Sequence, residues 1–123
     1  MILAIDLGNT NMVIGVFEGS SLITSFRIAT HHEFTEDEYG LIFDNLLKSK
    51  GLDSKGFEGG IISSVVPPLT TVLEKMCEKY LGFKPILVGP GIKSGIKIKY
   101  DNPKEVGADR IVNAVAAYHK YGG

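Results

Sequence analysis

Two stretches of this chain hold residue types that could grip a phosphate or move a proton. The first is Asp6-Leu7-Gly8-Asn9-Thr10-Asn11. A phosphate-binding turn needs backbone N–H groups aimed at the anion and a small residue that lets it approach. Gly8 gives access, and Asn9, Thr10 and Asn11 carry hydrogen-bond donors. Asp6 could hold Mg²⁺ through water or orient a nucleophile. The same residues also suit a plain hairpin, because Asn and Gly favour tight turns. The second stretch is Tyr100-Asp101-Asn102-Pro103-Lys104-Glu105-Val106-Gly107-Ala108-Asp109-Arg110. Gly107 falls near a helix start, where glycine costs about 1 kcal/mol against alanine. It implies close approach of a ligand or another backbone. Arg110 could bind an anion, and Asp109 beside it could act as a base. The plainer alternative is that Asp109 compensates a helix dipole and Arg110 makes a surface ion pair.

Other candidates carry less. Gly89 to Gly95 is glycine-rich, but it fits neither G-x-G-x-x-G nor G-x-x-x-x-G-K-[ST]. His31 and His32 are adjacent, so they cannot share a helix face as metal ligands do, and a solvated turn suits them better. Cys77 lies on an apolar stripe and reads as core. Ser63-Ser64 has no partner histidine at the spacing a serine hydrolase needs.

The elements that must position these residues follow from periodicity. Met1 to Asp6, Met12 to Phe17 and Leu22 to Ala29 are three short strands joined by turns, which predicts an antiparallel meander with the third strand nearer an edge. Thr35 and Glu38 form a capping-box signature. Tyr39, Ile42, Phe43, Leu46 and Leu47 then recur at helical spacing, and Gly51 can stop that helix. Gly60 to Val66 is a buried-strand candidate. Pro67 and Pro68 suit a first helical turn. Leu69, Val72, Leu73, Met76, Cys77, Tyr80 and Leu81 form one stripe, ended by Gly82. Pro85 to Gly89 is a short strand, Ile96 to Tyr100 an extra one, and Ile111, Ala114, Val115 and Tyr118 give a last helix its core face. Strands alternating with helices predict an α/β domain with a mixed sheet. The chain stops at Tyr121-Gly122-Gly123, directly after a helix, where an α/β pattern would continue into a strand. It therefore reads as cut.

With 123 residues, this is material for one domain. Apolar residues make up 44% and charged residues 22%, fractions that exclude a fully disordered chain. A net charge of −1 gives no basic excess for nucleic acid or anionic lipid. A single cysteine excludes an internal disulfide framework. No apolar run approaches the ~20 residues of a membrane span, and no signal peptide is legible, so the expected setting is cytoplasmic.

The sequence as a whole resembles the type III pantothenate kinases. Four motifs carry the likeness: Asp6-Leu7-Gly8-Asn9-Thr10-Asn11, Ser63-Ser64-Val65-Val66-Pro67-Pro68-Leu69, Tyr100-Asp101-Asn102-Pro103, and Val106-Gly107-Ala108-Asp109-Arg110-Ile111-Val112-Asn113-Ala114. A D-x-G-x-T turn alone would indicate only the broader superfamily of acetate kinases, sugar kinases, heat-shock cognates and actin. The last motif makes the match specific. The resemblance implies a ribonuclease-H-like domain, residues 1–123 being the N-terminal one of two, with ATP in the cleft between them. It implies that Asp6, Leu7, Gly8, Asn9, Thr10, Asn11 and Met12 line the ATP phosphates, with Asp6 also at Mg²⁺. Tyr100, Gly107, Ala108, Asp109 and Arg110 would contact pantothenate, with Asp109 as the base. The remaining half would bring a second D-x-G-T turn, a monovalent-cation site for K⁺ or NH₄⁺ and most of the adenine pocket. A homodimer is implied too. Two alternatives stay open: a non-catalytic ligand- or partner-binding regulator, and a superfamily kinase for another small hydroxylated substrate.

Asp109→Asn in the full-length protein keeps the side-chain shape and removes the base. The expected result is a fall in kcat of ~10² or more with unchanged circular dichroism. A folded variant with near wild-type kcat would remove Asp109 from that role.

Overall fold

Among the described residues, strand β1 (Ile2–Leu7) lies at the centre of a five-stranded sheet of order β3-β2-β1-β4-β5. The computed structural model describes residues 1–88. The residues expected to form the glycine-rich connection, the extra strand and the last helix, with Tyr100 and Gly107 to Arg110, lie outside the described residues. The three N-terminal strands form the expected meander. β1 runs antiparallel to β2 (Asn11–Glu18), and β2 antiparallel to β3 (Ser21–Ala29). β4 (Gly59–Ser64) joins the other side of β1 in parallel, and β5 (Ile86–Val88) follows in parallel. Among the described residues β3 is an edge strand, as its mixed composition predicts. Its register slips between Val16 and Phe17 of β2, which leaves Ile23 as the extra residue of a bulge.

Helix α1 (Glu36–Ser49) starts where its sequence says it should. Thr35 caps it, with the Thr35 side chain and the Glu38 amide bonded one way and the Glu38 side chain and Thr35 amide bonded the other. Glu36, Asp37 and Glu38 place negative charge at the positive end of the helix dipole. Tyr39, Phe43 and Leu47 are buried against the sheet, each contributing roughly 1.5–3 kcal/mol through loss of apolar surface. Gly51 and Gly82, the expected stops, take φ of +71° and +81°.

Helix α2 (Pro67–Met76) begins on its two prolines. Pro67 restricts the residue before it, and Val66 takes φ −127° and ψ 77°. The preceding strand therefore ends at Ser64, earlier than the apolar run suggested. The apolar stripe does continue to Leu81, but Cys77–Leu81 winds as a π-helical turn. The Gly82 amide there donates to the Cys77 carbonyl, five residues back, at 2.8 Å. Lys79 and Tyr80 both donate to Asp37 Oδ1, at 2.7 and 2.6 Å, tying the π turn to the first turn of α1.

Both helices cover one face of the sheet. Leu3, Ile5, Leu7, Met12, Ile14, Val16 and Ile62 meet α1 and α2 there in a single cluster. The chain steps from β3 to β4 to β5 in one direction, and right-handed crossovers in one direction deliver their helices to the same side. The opposite face carries a second buried cluster of Ile2, Ala4, Phe17 and Ile61. Both clusters draw on β1, so its apolar residues are inside on either face. Cys77 is fully buried, as expected. Burial pushes its thiol pKa well up, with Glu78 and Glu74 adding to the shift, so it lacks the thiolate that reactive cysteines need.

Thr35→Ala removes the cap. The expected loss is about 1 kcal/mol of stability, read as a lower urea midpoint with an unchanged slope by circular dichroism.

Candidate functional site

The end of β1 brings the first candidate stretch together. Side chains alternate along the strand, so Asp6 shares the second face with Ile2 and Ala4. In register it stands between Val13 of β2 and Ser63 of β4. Ser63 is buried and Asp6 half-buried. Arg27 of β3 pairs with Val13, so it occupies the same cross-sheet row as Asp6, two strands away. That is a separation of roughly 10 Å by strand spacing. The alternation of β3 holds this signal, because Phe26 and Ile28 pack on the helical face and Arg27 between them takes the other.

The turn itself is a tight connection. Gly8 N donates to Asn11 O at 3.0 Å. A Cβ on Gly8 would lie 3.0 Å from that same carbonyl, so the glycine is needed for close backbone approach. Asn9, Thr10 and Asn11 are exposed. Leu7 and Met12, expected to line phosphates, have side chains in the helical-face core. They can offer a ligand only their backbone.

The segment after β3 grips this turn. Thr30 N donates to Thr10 O at 2.8 Å, and Thr30 Oγ1 donates to Gly8 O at 2.8 Å. His32 Nε2 lies 2.8 Å from Asn9 O, and facing a carbonyl it must donate. With the Gly8 bond to Asn11, all four carbonyls from Gly8 to Asn11 accept a hydrogen bond. No backbone acceptor among the described residues takes the Asn9 or Thr10 amide. Backbone amides without acceptors at a glycine turn are what an anion binds.

Tyr39 of α1 holds the gripping segment. Its hydroxyl donates to His31 O at 2.7 Å and accepts from His31 N at 3.0 Å. Burial raises the Tyr39 pKa, with Glu38 adding and the His31 bond opposing. Phe34 stacks on His31, with ring centroids 4.2 Å apart, and meets Tyr39 edge-on. Both histidines are exposed, as a solvated turn requires. A cleft of about 420 Å³ opens beside them, lined by Thr30, His31, His32, Glu33, Phe34 and Glu38. The roles of Thr30, His32 and Tyr39 were not legible in the sequence, because each acts through a contact at least eight residues away.

Among the described residues no three His, Cys, Asp or Glu side chains gather as a metal site. Asp6 alone fits the usual way Mg²⁺ is held, by one or two carboxylates with waters and substrate phosphates. Among those residues, no helix is long and apolar enough to cross a membrane.

A three-stranded meander extended by parallel strands, with an acidic glycine turn between its first two strands, defines a ribonuclease-H-like domain. RuvC of Thermus thermophilus, solved with a Holliday junction substrate, has this fold with a TM-score of 0.59 at 16% identity, covering 98% of this chain and 95% of that one. The ROK hexokinase of the same organism matches with a TM-score of 0.52 at 18% identity, over 72% of this chain and 33% of that one. At such identities these likenesses speak for the fold alone. The chain belongs to the type III pantothenate kinase family, whose profile matches residues 2–123. It is 58% identical over 121 residues to a type III pantothenate kinase of Syntrophus aciditrophicus (strain SB), covering 98% of this chain. The chain spans about half the length of that relative, 48% of it.

Gly8→Ala forces the Asn11 carbonyl to shift and so reshapes the turn. Binding of inorganic triphosphate to the full-length protein, measured by calorimetry, is expected to weaken about 10-fold with little change in melting temperature.

Proposed function

We propose that the full-length protein transfers the γ-phosphoryl group of ATP to the primary hydroxyl of pantothenate, giving 4′-phosphopantothenate, the first step of coenzyme A biosynthesis. The observation that carries this reading is the turn after Asp6, whose four carbonyls from Gly8 to Asn11 are engaged within the protein while no backbone acceptor among the described residues takes the Asn9 and Thr10 amides, which would face an anion. Membership of the family supplies the substrate. In this proposal residues 1–123 are the N-terminal one of two domains, and the protein is a cytoplasmic homodimer.

Phosphoryl transfer asks mainly for positioning and charge neutralisation. The turn amides and the Asn9 and Thr10 side chains would bind the phosphate oxygens. Asp6 would hold Mg²⁺, directly or through water, and the ion supplies charge neutralisation on the phosphates when bound. Tyr100 and Gly107 to Arg110 would orient pantothenate, and Asp109 would accept the hydroxyl proton as the new O–P bond forms. The second domain would close the cleft against water and bring the monovalent-cation site for K⁺ or NH₄⁺.

The test is a coupled ADP-release assay on the full-length protein with Mg²⁺, K⁺, ATP and pantothenate. Pantothenate-dependent ADP release is the expected result. Asp6→Asn should lower kcat/KM for ATP by about 10- to 100-fold while calorimetric pantothenate affinity changes little. ADP release with other small alcohols but not pantothenate would point to a superfamily kinase. Ligand binding without turnover would point to the regulator.

A further inference from the structure

We infer that Thr30 and His32 are positioning residues for nucleotide binding, each setting the direction of one backbone amide in the Gly8–Asn11 turn. This deepens the functional reading above and rests on it.

The argument uses the rigidity of the peptide unit. In a trans peptide the C=O and the following N–H point in opposite directions, and the plane does not twist. The described chain has no cis bonds. Holding the Gly8 carbonyl on the Thr30 hydroxyl therefore turns the Asn9 N–H away from residues 30–32. Holding the Asn9 carbonyl on the His32 ring does the same for the Thr10 N–H. No backbone acceptor among the described residues takes either amide. The Thr30 amide, bonded to Thr10 O, carries the β2–β3 ladder one residue past its last paired strand residues, Asn11 and Ala29. The turn is thereby held flush with the gripping segment.

The grip has a fixed support. Tyr39 is fully buried in α1 and clamps His31, the residue between Thr30 and His32, by both its amide and its carbonyl. Preorganised donors bind a developing charge better than donors that must first reorient. A threonine hydroxyl and an imidazole that never touch the nucleotide can thus set its affinity.

The experiment uses the full-length protein and three variants, Thr30→Val, Thr30→Ser and His32→Ala. Thr30→Val keeps the branched shape and the backbone bond to Thr10 but loses the donor to Gly8. The affinities for inorganic triphosphate and for Mg-ATP, and the KM for ATP, are expected to worsen about 3- to 10-fold. Pantothenate affinity and melting temperature should stay near wild type, and Thr30→Ser should restore nucleotide binding. His32→Ala should act in the same direction. Unchanged triphosphate affinity in Thr30→Val overturns the inference. So does a parallel loss of pantothenate and triphosphate binding with a lowered melting temperature, which marks a merely structural role. If the wild type binds triphosphate but does not phosphorylate pantothenate, the functional reading falls, and triphosphate binding by the variants still decides the inference.

Discussion

The backbone of β1 is hydrogen-bonded along both of its edges, antiparallel on one side and parallel on the other. A strand held this way cannot shift register without breaking two ladders and turning its buried residues to the wrong face. Its end is therefore one of the best-fixed points in the domain. The carboxylate of Asp6 and the glycine two residues later sit at that point, where sequence places the chemistry. Helices α1 and α2 lie on one face, so they stabilise the strand without covering the face that Asp6 shares.

Much of this arrangement could be read from the sequence. The meander, both helices and their stops were legible because local physics decides them: alternation in the strands, a capping box at Thr35, prolines at the start of α2 and glycines at the ends. The end of β4 was less clear, because Ser63 to Val66 is apolar enough for either state and Pro67 decides only the residue before it. The π turn at Cys77 had no signal, since its apolar stripe continues through it. What sets it is long-range: the Tyr80 ring lies against Gly40 of α1, and Lys79 and Tyr80 reach Asp37.

The candidate site divides in the same way. The Asp6–Asn11 turn announces itself through its composition. Leu7 and Met12 fell within the same motif, yet alternation sends their side chains into the core, so the motif names more residues than it exposes. Thr30 directly follows β3 and His32 belongs to a polar turn, and nothing in either position suggests a partner more than twenty residues earlier. Such contacts come from the meander, which returns the chain to the start of β2.

The bulge at Ile23 has a consequence for the open side of the sheet. Among the described residues β3 is an edge, and an edge offers unpaired amides and carbonyls that a strand of another molecule could complete. Exposed Leu22 and Ile23 would make such a contact stickier. The extra residue interrupts the repeat just there, so an incoming strand finds matching groups only from Thr24 to Ala29. The irregularity thus disfavours strand addition at the apolar end of the edge, away from the end that leads into Thr30.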